Sequence, residues 1–393
     1  MAKLSVKDLD LAGKKVFLRV DFNVPLDENL NIRDDTRIKA ALPTIQYIIE
    51  QGGMPIIASH LGRPKGKVDA KSTLEPAANR LEMLLDRKVL FLKDCIGDEV
   101  KKIAGALRPG DVLLLENLRF HIEETNNDAK FARELASLAD LYVDDAFGAA
   151  HRAHASVEAI AHNFENPAAG FLMEQEIRYL DSALKDPKRP LLAIIGGAKV
   201  STKIGVIKNL LNTVDRLAIG GGMCFTFYKA KGYTIGKSLC EDELLYEAKA
   251  AMNSPKLYLP VDVLIAKEAQ AGSATQNVAA TAIPEDQMGV DIGAKSVANI
   301  IDFIKEAKTI VWNGPMGIFE IDRFARGTEF VAKAVATATK AGAVSIVGGG
   351  DTISALKKFN LVNAVSHAST GGGASLEYLE GKELPGVKVL KEK

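Results

Sequence analysis

Glycines and lysines follow an apolar run in residues 190–203 (PLLAIIGGAKVSTK). The apolar run is typical of a buried strand, and the glycines after it predict a tight turn. Ser201 and Thr202 are expected to cap a following helix, with Lys199 and Lys203 four residues apart on one of its faces. Free backbone N–H groups, the helix dipole and two cations would together hold a polyphosphate. The same residues also fit an ordinary strand, turn and helix with two solvated lysines.

The two halves of the chain differ in the residues that could bind anions. Twelve of the 15 arginines precede residue 190, whereas 23 of the 33 glycines follow residue 195. Arginine suits the bidentate recognition of carboxylates and phosphates, and glycine-rich turns suit a nucleotide phosphate chain. The halves are therefore expected to hold different ligands, although chance and solvated arginines would give the same skew.

These residues fall where predicted strands end, which is where open parallel sheets bind ligands. The front half has Asp21, Asn23, His60, Arg63, Asn117, Arg119, His121 and residues 144–154 at such ends. The back half has Gly196, Lys199 and residues 220–222, 313–317, 348–352 and 371–373. Each residue alone has a structural explanation, but the joint pattern favours a binding site.

The elements that must position these residues alternate between strands and helices. Strands are predicted at 15–22, 54–59, 88–92, 111–116 and 141–145 in the front half, and at 191–195, 216–219, 261–266, 309–312 and 343–347 in the back half. Helices are predicted at 34–51, 73–85 and 131–138, with Pro43 kinking the first or delaying its start. This alternation predicts an α/β fold with two doubly wound parallel-sheet domains.

A helix between proline and glycine clusters separates the two halves. We therefore predict domains at 1–170 and 190–373, joined by a connector helix and hinge at 171–189. The C-terminal tail, 374–393, is expected to return to the front domain.

Composition narrows the function. Fifty basic and fifty acidic residues cancel, so the net charge does not indicate nucleic acid or an anionic membrane as a partner. The chain has no apolar stretch of about 18 residues and no apolar signal core, so a cytoplasmic location is expected. Three cysteines without CxxC spacing argue against a disulfide framework or a zinc site.

The chain lacks the sequence patterns that are typical of two enzyme classes. A nicotinamide dehydrogenase would carry GxGxxG after a strand, and the chain has none. A P-loop kinase would carry GxxxxGK[ST], and the nearest match, residues 232–238 (GYTIGKS), is one residue too short.

Eight collinear segments resemble the phosphoglycerate kinase family. They are VDFNVPL (20–26), SHLGRP (59–64), LENLRFH (115–121), DDAFGAAHRAHAS (144–156), GGAKVSTK (196–203), VWNGPMGIFE (311–320), GGGDT (348–352) and STGGGASLE (369–377). The resemblance implies the glycolytic transfer of a phosphoryl group between 1,3-bisphosphoglycerate and ADP, giving 3-phosphoglycerate and Mg-ATP. It also implies a hinge-bending monomer. A catalytically inactive nucleotide-binding relative is the alternative.

The resemblance implies a site residue by residue. The front domain would bind the triose through Asp21, Phe22, Asn23, Arg37, His60, Leu61, Gly62, Arg63, Arg119 and Arg152. The back domain would bind the nucleotide through Gly196, Gly197, Lys203, Gly220, Gly221, Gly293, Asn313, Pro315, Glu320, Gly349, Gly350, Asp351 and Thr352, with Mg²⁺ on Asp351. Arg37, Lys199, Lys203, Gly349 and Gly372 would act on the transferring group.

The implied reaction explains why these residue types suffice. Its nucleophile in the ATP-consuming direction is a carboxylate, which is ionised at about pH 7, so no general base is needed. What remains is in-line alignment and electrostatic stabilisation, together with exclusion of water by domain closure.

Overall fold

A computed structural model describes residues 2–393. The chain divides into two compact units. The first unit comprises the chain up to Ile177 together with Glu383–Lys393, and the second unit comprises Arg178–Lys382.

Fifteen strands and 14 α-helices are formed by the described residues. The strands are β1 (Lys15–Arg19), β2 (Met54–Ala58), β3 (Val89–Phe91), β4 (Val112–Leu114), β5 (Leu141–Asp144), β6 (Ala168–Ala169), β7 (Leu191–Ile195), β8 (Arg216–Ile219), β9 (Leu257–Tyr258), β10 (Asp262–Ala266), β11 (Thr275–Ala279), β12 (Met288–Ile292), β13 (Thr309–Asn313), β14 (Val344–Gly348) and β15 (His367–Ala368). The helices are α1 (Thr36–Glu50), α2 (Glu75–Leu85), α3 (Asp98–Gly105), α4 (Ile122–Thr125), α5 (Ala129–Ala136), α6 (Phe171–Leu184), α7 (Ile204–Thr213), α8 (Cys224–Ala230), α9 (Leu245–Ala251), α10 (Ala294–Glu306), α11 (Arg326–Lys340), α12 (Gly350–Lys358), α13 (Gly373–Leu379) and α14 (Pro385–Lys388).

The first unit is built on a six-stranded parallel sheet with the order β3-β4-β2-β1-β5-β6. The interior strands β2 and β4 are apolar and buried along their whole length, as expected when helices cover both faces of a sheet. Pro43 lies inside α1 and does not delay its start, since the helix already begins at Thr36.

The second unit contains another six-stranded parallel sheet with the order β15-β14-β13-β7-β8-β9. Ile194 on β7 pairs with Trp312 on β13, and both side chains are fully buried in the core. The two parallel sheets confirm the predicted α/β fold class.

The predicted strand at 261–266 is not part of this parallel sheet. The strand β10 lies instead in a separate antiparallel sheet with the order β11-β10-β12, and neither β11 nor β12 was predicted. Strand β11 is largely exposed and lacks an apolar run, so its periodicity carries little information. No helix separates these three strands along the chain, which is why they pair antiparallel.

The connector helix α6 begins in the first unit and ends in the second. Residues 374–382 were expected in the returning tail, but they belong to the second unit. The C-terminal segment of the first unit starts at Glu383. This segment bonds to the first unit through its backbone, because Gly386 N donates to Ala150 O and Leu4 N donates to Lys391 O. Among the described residues, no helix has the length and apolar character needed to cross a bilayer.

Shortening the buried Ile194 tests this core. The substitution Ile194→Ala is expected to destabilise the second unit by about 2–5 kcal/mol, because it leaves a cavity beside Trp312. Trp312 is the one tryptophan of the sequence, so its fluorescence during denaturant unfolding measures the effect. The control Tyr246→Ala removes a side chain that is 81% exposed and should change stability by less than about 0.5 kcal/mol. Equal unfolding midpoints for Ile194→Ala and the unmodified chain would contradict this packing.

Candidate active site

In the first unit, Arg37 is held over the turn that follows β1. Its Nη1 donates to both carboxylate oxygens of Asp21, each at 2.9 Å, and to Asn23 O at 3.2 Å. Asn23 Oδ1 in turn accepts from Gly62 N at 2.9 Å. The guanidinium is about one-third exposed, so its remaining N–H groups are available to a ligand.

Arg19 sets the protonation of His60. Both side chains are buried, and Arg19 Nη2 lies 3.2 Å from His60 Nδ1. Because a guanidinium can only donate, Nδ1 must accept and the ring proton must lie on Nε2. Burial and the charge of Arg19 lower the pKa of His60 well below its usual value. His60 is therefore a neutral hydrogen-bond donor at physiological pH.

A buried carboxylate balances part of this charge. Glu124 Oε1 lies 3.9 Å from Arg19 Nη2 and accepts from Ser156 Oγ at 2.7 Å. Ser156 Oγ also accepts from Arg19 Nε at 2.8 Å, so the three side chains form one network. His154 lies at its edge, and burial together with the charge of Arg119 lowers the pKa of His154 to about 3.

Arg119 completes a cluster of cations. Its Nη1 donates to Gly62 O at 2.8 Å, and its Nε is buried without a hydrogen-bond partner. Burial and the charges of Arg19 and Arg152 lower the pKa of Arg119 to about 10. A guanidinium N–H that is desolvated and unpaired favours an anionic ligand, which would satisfy both the hydrogen bond and the charge.

The other predicted triose residues lie on the same loops. Phe22 and Leu61 are buried and belong to the core of the first unit, so only their backbone groups can contact a ligand. Arg63 is exposed and directly follows Gly62. Arg152 is partly buried and its Nε bonds to His151 Nε2 at 3.1 Å.

In the second unit, the predicted nucleotide residues surround the point where the strand order reverses, between β7 and β13. Gly196 ends β7 here and its N–H donates to Asn313 O at 2.9 Å. A Cβ at Gly196 would overlap the carbonyl oxygens of Gly314 and Pro315. Only glycine allows these two strand ends to approach so closely.

An apolar pocket of about 270 Å³ lies on one side of this point. Its wall includes the predicted residues Gly197, Gly221, Pro315, Glu320 and Asp351. The remaining wall residues are mostly apolar side chains, and no sequence pattern indicated Phe225, Leu239, Val263, Met288, Val290 and Ile318. Several of them lie on the antiparallel sheet, and without that sheet they could not be placed near the glycines.

A second pocket of about 440 Å³ continues from the first, because both share Gly197, Pro315 and Asp351 in their walls. We call it the polar pocket because its wall includes the charged side chains of Lys199 and Lys203. The predicted residues in its wall are Gly196, Gly197, Lys199, Lys203, Asn313, Pro315, Gly349, Gly350, Asp351, Thr352 and Gly372. An apolar pocket that opens into a polar, glycine-rich one matches a nucleotide, with its base in the first and its phosphates in the second.

Lys203 is the most perturbed cation of the polar pocket. Its Nζ contacts Asn313 Oδ1, and burial lowers the pKa of Lys203 to about 8, although the charge of Asp351 opposes this shift. Asn313 Nδ2 is buried without a hydrogen-bond partner. Phosphate oxygens would supply the missing acceptor and stabilise the charged form of Lys203.

The predicted cap of helix α7 is wrong. The helix begins at Ile204, and neither Ser201 nor Thr202 caps it. Ser201 Oγ bonds instead to Glu241 Oε1, and Thr202 Oγ1 donates to Lys199 O at 3.0 Å. Lys199 therefore lies in the turn before the helix, exposed at the pocket, rather than on a helical face with Lys203.

Two predicted glycines lie behind the pocket walls. A Cβ at Gly220 would overlap Met316 Sδ, and one at Gly293 would overlap the Asp262 carboxylate. Gly293 is the N-cap of α10. Both glycines thus allow close packing, and neither belongs to the wall of the two pockets described above.

Asp351 fits the predicted metal ligand. It lies in the first turn of α12, exposed and in the walls of both pockets. Mg²⁺ prefers oxygen ligands and is commonly bound by one or two carboxylates together with substrate phosphates. A single carboxylate beside a phosphate pocket matches that chemistry.

Comparisons with known proteins agree with the resemblance stated above. A profile of the phosphoglycerate kinase family matches residues 6–382. The chain is 55% identical over 398 residues to a phosphoglycerate kinase of Moorella thermoacetica, which covers 100% of both chains. It is 54% identical over 393 residues to "Phosphoglycerate kinase 3, cytosolic" of Arabidopsis thaliana, covering 99% of this chain and 98% of that protein. The structure of phosphoglycerate kinase from Coxiella burnetii is similar with a TM-score of 0.90 and 45% identity over 98% of each chain.

The lowered pKa of Lys203 predicts how ligand affinity depends on pH. Below about pH 8 the free ammonium is charged, and above it a nucleoside diphosphate must bind together with a proton. The Kd of ADP, measured by calorimetry, should therefore be about tenfold higher at pH 9 than at pH 7. In the control Lys203→Arg, whose guanidinium stays charged, the Kd should be flat over this range. An equal loss of ADP affinity between pH 7 and pH 9 in the unmodified protein and in Lys203→Arg would contradict the role of Lys203.

Proposed function

The chain belongs to the phosphoglycerate kinase family, and from this premise we propose how its two units divide the substrates. The family's reaction transfers a phosphoryl group between 1,3-bisphosphoglycerate and ADP, giving 3-phosphoglycerate and ATP, a step of glycolysis. The enzyme is thus a phosphotransferase whose acceptor in the reverse direction is a carboxylate. The inactive relative considered as an alternative has no support from the family match or the named relatives.

The first unit is proposed to bind the triose. The observation that carries this proposal is the buried Nε of Arg119, which lacks a partner in the middle of a cluster of cations. The phosphate of 3-phosphoglycerate, remote from the reacting group, would accept from Arg119, from the Nε2–H of His60 and from Arg63 and Arg152. Leu61 and Gly62 would act by positioning this loop, because their N–H groups already donate to Asn117 Oδ1 and Asn23 Oδ1 and Gly62 O accepts from Arg119.

The hydroxyl and carboxylate end of the triose would lie at the turn after β1. Asp21 and Asn23, with the backbone of Phe22, would contact the hydroxyl region, and Arg37 would lie nearest the reacting carboxylate. The two hydrogen bonds that Arg37 Nη1 donates to the Asp21 carboxylate fix the guanidinium in advance, which lowers the entropy cost of orienting it.

The second unit is proposed to bind the nucleotide. The base would occupy the apolar pocket, with the backbones of Gly197 and Gly221 close to the adenosine, and Glu320 would accept from the ribose hydroxyls. The phosphates would occupy the polar pocket. Their partners there would be Lys203, Asn313, Thr352 and the amides of Gly349 and Gly350. Gly196, Gly220 and Gly293 would act by keeping these walls close together.

Asp351 would hold Mg²⁺ against the phosphates. When bound, the ion would neutralise part of the phosphate charge and thereby favour attack by an anion. The residues of this chain that act on the transferring group would be Arg37 in the first unit and Lys199, Lys203 and the amides near Gly349 and Gly372 in the second.

No residue needs to act as a general base. The attacking carboxylate of 3-phosphoglycerate is ionised, so an oxygen–phosphorus bond can form without removal of a proton, while the bond from the γ-phosphorus to the β-γ bridging oxygen breaks. The neutral state of His60 agrees with a binding role. Catalysis then rests on positioning and on charge stabilisation.

An acyl phosphate is hydrolysed by water, so transfer requires a closed site. We propose that α6, the connector helix, is part of a hinge that allows closure over both ligands and reopening for product release. Each group of binding residues comes from one unit of a single chain, which supports a monomer. The name of the cytosolic Arabidopsis relative supports a cytoplasmic location.

A coupled assay with 3-phosphoglycerate and Mg-ATP tests the function and the role of Arg37 together. The unmodified protein should form ATP-dependent product. Arg37→Ala should lower turnover by roughly 100- to 1,000-fold, because one preorganised donor contributes about 2.7–4 kcal/mol in the transition state. The Kd of ADP should stay unchanged, since Arg37 belongs to the first unit.

The matched control is Arg33→Ala, which removes an exposed guanidinium from the same segment and should keep normal turnover. Absence of product from pure, folded, unmodified protein would contradict the proposed function. A loss of ADP affinity in Arg37→Ala as large as its loss of turnover would instead remove Arg37 from the reacting centre.

A further inference from the structure

Lys358, the last residue of α12, anchors the loop that carries Glu320. Its Nζ donates to Phe319 O at 2.8 Å, lies 3.4 Å from Glu320 O, and pairs with Asp322 Oδ1 at 2.6 Å. An ammonium has three donors, and these three contacts use all of them. One side chain thus contacts the loop at three residues around Glu320.

The contacts of Lys358 with the two backbone carbonyls hold the loop more firmly than its ion pair with Asp322 does. Asp322 is 91% exposed, and exposed ion pairs contribute little to stability. The carbonyls, in contrast, belong to the residues that form the wall of the apolar pocket, Phe319 and Glu320. Lys358 therefore acts chiefly on the backbone conformation of this wall.

Packing supports the same connection between α12 and the loop. Phe319 is buried with Ala325 and with Ala355 of α12, and Phe359, which follows the helix, packs against them. The loop is thus held against α12 by an apolar contact under Phe319 and by the ammonium beside it.

The helix α12 has a second role at its other end. Its first turn carries Asp351 and Thr352 in the wall of the polar pocket, while Lys358 contacts the loop at the apolar pocket. Because a nine-residue helix is a rigid element, it fixes the phosphate end and the loop end of the nucleotide site relative to each other.

We propose that Lys358 is a positioning residue for nucleotide recognition, which holds the backbone at Glu320 so that this carboxylate meets the ribose hydroxyls. The inference rests on the proposed function, because it takes the ribose as the ligand of Glu320. Lys358 itself touches no substrate. Its effect should appear only with a nucleotide that has hydroxyls for Glu320 to bind.

The experiment compares the binding of ADP and 2′,3′-dideoxy-ADP by calorimetry, in the presence of Mg²⁺. For Lys358→Met, which keeps the aliphatic chain, we expect ADP to bind about five- to tenfold more weakly than to the unmodified protein. The affinity for dideoxy-ADP should change less than about twofold, because that ligand makes no hydroxyl contact. The expected loss is only part of a hydrogen bond to a charged group, because Lys358→Met displaces the Glu320 carboxylate without removing it.

Two matched controls separate the contacts of Lys358. Lys305→Met breaks a surface pair with Asp302 on α10 and should leave both affinities unchanged. Asp322→Asn removes the exposed partner but keeps both carbonyl contacts, so it should also retain the preference for ADP. An equal loss for both ligands in Lys358→Met, or no loss for either, would overturn the proposal.

The variant Glu320→Gln distinguishes failure of this inference from failure of the proposed function. If Glu320→Gln weakens the binding of ADP but not of dideoxy-ADP, the ribose contact is supported. The result for Lys358→Met then tests the positioning role alone. If Glu320→Gln changes the affinity of both ligands equally, the proposed ribose contact is wrong, and so is the positioning role of Lys358 that depends on it. A Lys358→Met protein that melts below the assay temperature is replaced by Lys358→Gln, to which the same two outcomes apply.

Discussion

Buried positive charge that the protein only partly compensates is the feature on which both groups of binding residues depend. Arg19 and Arg119 lie in the interior of the first unit, where Glu124, 3.9 Å from Arg19, is one of the carboxylates near them. Burial lowers the pKa of Arg119 to about 10 and that of Lys203, in the second unit, to about 8. A desolvated cation interacts more strongly with an anion than a solvated one does. An anionic substrate bound at these residues would therefore offset the cost of burying these charges.

The parallel sheets make this arrangement possible. Their strands are mostly continuous apolar runs, so charged side chains collect near the carboxyl ends, as Arg19 does on β1. In the second unit these ends meet between β7 and β13, where glycine lets the backbone of one strand end contact the next. The folding of each sheet thus brings residues that are far apart in sequence, such as Lys203 and Asn313, into contact.

Sequence patterns identified the parallel sheets and the residues on their loops, because apolar strand runs and polar strand ends are both local features. They missed Arg19, whose place in the alternating strand β1 gave no sign of full burial. They also missed Glu124, which reaches Arg19 from a helix of four residues. Ser201 was expected to cap a helix, but its hydroxyl donates a hydrogen bond to Glu241, which is distant in sequence. The antiparallel sheet was overlooked because β11 is largely exposed and lacks an apolar run, and with the sheet the apolar wall of the first pocket was missed.

The central claim is that each unit holds one substrate by its own partly uncompensated cations. Backbone hydrogen–deuterium exchange, measured with 3-phosphoglycerate alone and with Mg-ADP alone, tests it most directly. We expect 3-phosphoglycerate to slow exchange at residues 59–63 and 117–121, and Mg-ADP to slow it at residues 196–203 and 349–352. Slowed exchange by both ligands at the same unit, or by either ligand only outside these segments, would contradict the account.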